Sequence, residues 1–246
     1  MWDEEGKRYL DALAGVAVCG LGHCHPKLVR AICNQAGTLI HTSNLYHIGK
    51  QEELASRLAV LSSMDNAFFC NSGTEANENA MRMARMATGR EKVVSFSGGF
   101  HGRTADSISA TFLGKYREIG KPNVPFHVSA DFGNIESVRS VIDEETAAVI
   151  LEPIQSMAGV READPDFFVE LRKLCDDGGV VLIFDEVQTG IGRTGHWFFS
   201  GSANAGGVEP DVITLAKSLA SGVPVGACLV NDSVAAGIKE NDLGTT

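Results

Sequence analysis

The chain has 246 residues, 44% hydrophobic and 21% charged, enough to bury the core of one large domain and too apolar for intrinsic disorder. Its formal net charge of −10 argues against a nucleic-acid partner, because phosphate neutralisation needs Lys/Arg patches that the sequence lacks. Six cysteines show neither CxxC spacing nor disulfide-scaffold density, and no signal peptide or run of about 18 apolar residues occurs, so a cytoplasmic protein with no membrane partner is expected.

In chain order, helical apolar spacing covers residues 26–38 and 51–61. A short apolar run, Phe68, Phe69 and Cys70, then stops at Asn71, Ser72, Gly73 and Thr74. Residues 75–86 resume helical spacing, so this stretch reads as strand, tight turn, helix. KVVSF from Lys92 reads as a strand, and residues 135–142 as a helix. AAVIL from Ala147, a helix over 165–175, VVLIF from Val180 and VITLA from Val212 complete the alternation. The pattern predicts an α/β fold: a mostly parallel sheet with helices on both faces, in three layers. Ligands in such folds gather at the carboxyl ends of the strands.

What stands at those ends is informative. AAVIL runs into Glu152, VVLIF into Asp185 and Glu186, and VITLA into Lys217. The strand before Asn71 delivers a helix N-terminus, whose free N–H groups and dipole make Ser72, Gly73 and Thr74 a phosphate cradle. An ordinary N-cap is the alternative reading. Lys217 follows an apolar strand, where burial would lower its pKa and suit a Schiff-base amine; the alternative is a structural salt bridge to Asp185. A phosphate cradle, an imine-forming amine and a strand-end carboxylate together meet the needs of pyridoxal 5′-phosphate.

Two other motifs compete. GIGRTG, starting at Gly190, matches GxGxxG after a strand, but a dinucleotide fingerprint should open a helix, and here aromatic and Gly-rich sequence follows. GHCHP, starting at Gly22, clusters two histidines and a cysteine, yet lacks a second ligand pair at zinc-like spacing, so no metal is expected.

GHCHP, HTSNLYH, FFCNSGTEANE, FSGGFHGRT, LEPIQ, FDEVQTGIGRTG and ITLAKSL occur together, in that order. On these motifs the whole chain is similar to the class III, fold-type-I aminotransferases, nearest to the acetylornithine branch, with ornithine and 4-aminobutyrate aminotransferases as further relatives. The resemblance implies the lysine that carries pyridoxal phosphate at Lys217, a pyridine-nitrogen partner at Asp185, and ring contacts from Val187, Gln188 and Phe100. Ser72, Gly73, Thr74, His101 and Glu152 join the cofactor set, as does Thr246, which matches a threonine reaching the phosphate of a neighbouring subunit in a homodimer with shared sites. Arg103 matches an arginine that grips the substrate carboxylate, and Tyr46 and Thr245 complete the substrate-binding set.

The implied reaction moves the distal amine of an amino acid such as N2-acetylornithine to 2-oxoglutarate; ornithine, 4-aminobutyrate or another omega-amino acid is the alternative donor. An aminomutase or decarboxylase on the same cofactor, or a catalytically incomplete fragment, also fits the motifs. The chain departs from the family at Met157, where many relatives have a glutamate, and at Leu243, where a polar residue is common. The family pattern continues past Thr246. The expected organisation is therefore a fragment: an N-terminal segment over 1–45 and an incomplete cofactor domain over 46–246, with a small C-terminal domain absent.

Overall fold

The computed structural model describes residues 1–119 and 121–244. Its elements are α1 (Ala14–Ala17), α2 (Pro26–Ala36), α3 (Gly49–Ser62), β1 (Asn66–Cys70), α4 (Gly73–Thr88), β2 (Lys92–Phe96), α5 (Ala105–Ala110), β3 (His127–Ala130), α6 (Ile135–Arg139), β4 (Thr146–Leu151), α7 (Pro165–Gly178), β5 (Val181–Asp185), β6 (Val212–Leu215), β7 (Gly226–Val230) and α8 (Asp232–Ala235). Among the described residues no helix is long and apolar enough to cross a membrane.

Among the described residues, seven strands form one sheet in the order β1-β7-β6-β5-β4-β2-β3. β3, β2, β4, β5 and β6 pair in parallel, while β7 runs antiparallel to both β6 and β1. Only β7 is therefore reversed. β1, β2, β4, β5 and β6 all end at one edge, where the candidate site residues expected from the sequence stand.

Alternation along the strands sends side chains to two cores. Val94, Phe96, Val149, Leu151, Leu182 and Phe184 meet Phe167, Phe168, Leu171 and Cys175 of α7. Phe96 stands edge-on to both Phe132 and Phe167, at 5.8 and 5.9 Å. On the opposite face Val93, Ala148, Ile150 and Ile183 pack against Ala76, Ala80, Met81 and Ala84 of α4. The small residues on α4 let it lie close across the middle of the sheet. Each fully buried Leu, Ile, Phe or Met contributes roughly 1.5–3 kcal/mol by leaving water.

Helix ends follow local chemistry. α4 starts where the Ser72 hydroxyl accepts a hydrogen bond from the Glu75 N–H, and stops at Gly89, whose φ of 69° is left-handed. These caps extend it at both ends beyond the span expected from apolar spacing. α7 starts with Pro165 in its first turn and ends at Gly179 in the same left-handed conformation. β3 and β7 escape sequence reading because HVSA and GACLV lack a β-branched run. Leu243, one of the two departures from the family pattern, packs against the α4 core, as do Ile238 and Ala235.

Candidate active site

The carboxyl edge of the sheet encloses a cavity of about 820 Å³. Ser72, Gly73, Thr74, Phe100, His101, Glu152, Asp185, Val187, Gln188 and Lys217 all line it, and Arg103 joins them. The residues read from separate motifs thus converge in space. Thr245 and Thr246 lie outside the described residues. Tyr46 is 68% exposed and does not belong to this lining.

Asp185, at the last position of β5, is buried and receives three N–H groups. Asn77 Nδ2 donates to Oδ2 at 2.7 Å, and His101 Nδ1 stands 2.8 Å from the same oxygen. The Val187 N–H donates to Oδ1 at 3.1 Å. The His101 Nδ1 contact fixes the ring, whose Nε2 is buried without a hydrogen-bond partner among the described residues. Asn77 has no counterpart in the reading of the sequence. Its signal was present: a polar side chain on the apolar stripe that holds Ala76, Ala80, Met81 and Ala84.

Lys217 follows β6 with φ of 46°, a left-handed backbone that turns its side chain off the strand axis. Its Nζ donates to Gln188 Oε1 and makes no ion pair with Asp185 among the described residues, so the salt-bridge alternative does not form. Burial pushes the Lys217 ammonium below its ordinary pKa, against the opposing pull of the Asp185 and Glu152 carboxylates. Glu152 is also buried, and its carboxyl is pushed up first by desolvation and then by the charge of Asp185. It accepts from the Phe100 N–H at 2.9 Å and the Ser156 hydroxyl at 3.2 Å. Glu152 therefore anchors the loop that carries Phe100 and His101.

Glu186, adjacent to Asp185, faces elsewhere: it accepts from the N–H groups of Phe199 and Ser200 at 2.6 and 2.9 Å. Strand alternation explains the divergence, since consecutive residues leave β5 on opposite faces.

The first turn of α4 forms a floor for the cavity. Ser72 caps the helix through Glu75, and the Glu75 carboxylate accepts from the Asn71 N–H. The N-cap and anion-cradle readings are thus compatible, because the first-turn N–H groups of Gly73 and Thr74 have no intrahelical acceptor. At the rim the Arg103 guanidinium lies 6.0 Å from the Tyr116 ring, which in turn meets Phe100 edge-on at 5.7 Å. Arg103 has no carboxylate partner among the described residues.

The competing motifs have structural uses. After β5, residues 187–195 form turns rather than a helix, and a Cβ on Gly190 would meet Glu186 O and Leu215 Cδ2 at 2.9 Å each. Packing accounts for that glycine. His23 pairs with Asp11 at 2.6 Å, and His25 caps α2 through the Lys27 N–H. A second cavity of about 840 Å³ adjoins the first at Ser156 and Gln188, but it lacks the amine and the buried carboxylate pair.

Over residues 1–246 the chain matches the family model described as Aminotransferase class-III. The acetylornithine aminotransferase of Archaeoglobus fulgidus is 49% identical over 246 residues, covering 100% of this chain and 65% of that protein. A solved ornithine aminotransferase from Toxoplasma gondii, described with partial occupancy of PLP at its active site, superposes with a TM-score of 0.92 at 30% identity, covering 100% of this chain and 60% of that one. The N-acetylornithine aminotransferase structure from Stenotrophomonas maltophilia gives 0.81 at 36% identity, covering 97% and 61%. The chain thus spans just under two thirds of the length of these relatives.

Proposed function

This chain belongs to the class-III aminotransferase family, and from that we propose that its cavity binds pyridoxal 5′-phosphate and serves transfer of the distal amine of an amino acid such as N2-acetylornithine to 2-oxoglutarate. The observation that carries this reading is the pairing, in one cavity, of a lysine whose ammonium is weakened by burial with a buried carboxylate held by three N–H donors. His101 Nε2, buried beside them with no partner among the described residues, fits a ligand with a polar acceptor or donor.

When bound, the cofactor supplies an aldehyde that condenses with amines and a ring that draws electrons from the adjacent carbon. The chain's residues do the rest. Lys217 Nζ offers an amine that sheds its proton more readily than a surface lysine, and it can carry a proton to or from a substrate carbon. Asp185 supplies the negative charge that a ring nitrogen needs to stay protonated. Gly73 and Thr74, at the start of α4, hold the phosphate through N–H groups and the helix dipole. Phe100 and Val187 confine the ring. Arg103, with no carboxylate partner among the described residues, takes the carboxylate of donor or acceptor through its planar fork.

The acetylornithine assignment draws on the similarity to relatives of that name. Met157, which lines the cavity, favours a second reading with another omega-amino acid, since a thioether offers no charge for switching between substrates. Residues 46–246 would form the cofactor domain, and the family resemblance points to a homodimer, which sedimentation would test. The direct experiment is to add pyridoxal phosphate to the purified chain and to Lys217→Ala. A visible absorbance band in the first and none in the second is expected. An unchanged band in the variant would remove Lys217 from its role. Mass spectrometry of products from N2-acetylornithine, with and without 2-oxoglutarate, then tests the donor; amine loss beyond one equivalent per cofactor without an oxo acid would refute transamination.

A further inference from the structure

We infer that Asn77 is a positioning residue for Asp185 and that the hydroxyl of Thr214 holds Asn77 in place. Asn77 lies on α4 and Thr214 on β6, and both are buried. Thr214 Oγ1 donates to Asn77 Oδ1 at 2.6 Å. Asn77 Nδ2 donates to the His101 carbonyl at 2.8 Å and to Asp185 Oδ2 at 2.7 Å.

The chemistry admits one orientation of the amide. A backbone carbonyl and a carboxylate only accept, so the NH2 end must face them, and the C=O end is left facing Thr214. Reversing the amide would set an oxygen against two oxygens and forfeit two buried hydrogen bonds. Thr214 is the one group among the described residues that satisfies the remaining acceptor. With Oδ2 of Asp185 taken by Asn77 and His101, Oδ1 has, among the described residues, only the Val187 N–H and retains capacity for a further donor in the cavity. The carboxylate is thereby prevented from rotating.

Asn77 also stands one turn beyond Gly73, about 6 Å along the same helix at 1.5 Å per residue. α4 then presents a phosphate-binding N-terminus and the brace for the ring-nitrogen partner as one rigid body. This function of Asn77 rests on the cofactor reading, whereas the hydrogen-bond relay belongs to the chain alone.

Thr214→Val removes the hydroxyl at nearly constant volume, and Thr214→Ser keeps the hydroxyl while losing the methyl. Thr214→Ala removes the hydroxyl without adding bulk and guards against a folding defect in the first variant. In the cofactor-free chain, NMR should find the Asn77 side-chain N–H pair, assigned by its loss in Asn77→Asp, as two slowly exchanging resonances. Thr214→Ser should preserve them, and Thr214→Val and Thr214→Ala should lose the protection. Pyridoxal phosphate affinity should fall about tenfold in Val and Ala, the effect of one lost buried hydrogen bond, and stay near the parent value in Ser. Protected resonances in Thr214→Val, or equal affinity losses in Val and Ser, would overturn the relay. If the parent chain takes up no pyridoxal phosphate, the cofactor reading fails while the NMR comparison still decides the relay.

Discussion

Gly73 and Val187 meet so closely that a Cβ on Gly73 would lie 2.9 Å from Val187 Cγ1 and 3.0 Å from Cγ2. The first turn of α4 rests directly on the residue two positions after Asp185. The absence of a side chain at Gly73 therefore sets the distance between the helix N-terminus and the end of β5.

Gly73→Ala should destabilise the chain. Helix propensity favours alanine by up to about 1 kcal/mol, but forcing a methyl into this contact costs about 1–3 kcal/mol, and the contact is expected to win. Thermal or urea melts would measure it. Val187→Ala in the same background should recover most of the loss; additive losses in the double variant would show that the contact is not the cause.

Replacing Gln188 by Glu would set a carboxylate against Lys217 Nζ, in place of the neutral acceptor that now binds it. The ammonium form gains a counter-charge, so its lowered pKa should rise. Imine formation with pyridoxal, followed by absorbance across pH, should then need more alkaline solution than in the parent. An unchanged pH midpoint would mean that Gln188 does not control the amine.

Asp106 ties α5 to the sheet edge and to α4, accepting from His127 Nε2 at 2.7 Å and from Arg85 Nη1 at 2.6 Å. Burial alone would raise its pKa, but the His127 hydrogen bond and the Arg85 ion pair outweigh burial and bring it to about 2. A carboxyl lowered on folding stabilises the fold above its unfolded pKa of 3.8 and loses that contribution as pH falls toward about 2. Asp106→Asn should flatten the fall in unfolding free energy from urea melts across this window, by about 1–2 kcal/mol after solvent screening. An equally steep fall in the variant would locate the acid sensitivity elsewhere.

Glu152 has the opposite sign. Its raised pKa means that its contribution to stability is present below the unfolded value and is lost as pH rises through the folded one. Glu152→Gln retains an acceptor for the Phe100 N–H and removes the charge beside Asp185. It should be at least as stable as the parent at neutral pH and lose that advantage in acid, whereas Glu152→Ala, which leaves the half-buried Phe100 N–H without its acceptor, should be less stable at both. Denaturant melts at two pH values distinguish these outcomes.

Arg103→Ala should change stability by no more than about 0.5 kcal/mol, as for a surface residue without an ion pair. Under the proposed function it should weaken binding of amino and oxo acids without displacing the cofactor. A large fall in melting temperature would instead assign Arg103 a structural role.

Much of the candidate site's placement was legible because a parallel α/β sheet converts sequence position into spatial position. Glu152, Asp185 and Lys217 each follow a run of apolar residues, and strands running the same way must end at the same edge. Glycine and capping chemistry likewise mark α4, through Ser72 at its start and Gly89 at its end. The family resemblance proposes a chemical role for each of those positions.

Contacts across elements were not legible in that way. Asn77 and Thr214 are 137 residues apart and join only because α4 crosses the face of β6. Glu186 looks equivalent to Asp185 in sequence, yet strand alternation turns it toward the Phe199 N–H. Strand periodicity and chain order determined which residues reach the sheet edge. Which oxygen faces which donor, and whether Lys217 pairs with Asp185 or with Gln188, was decided by tertiary packing, because hydrogen bonds depend on ångström distances that sequence spacing does not encode.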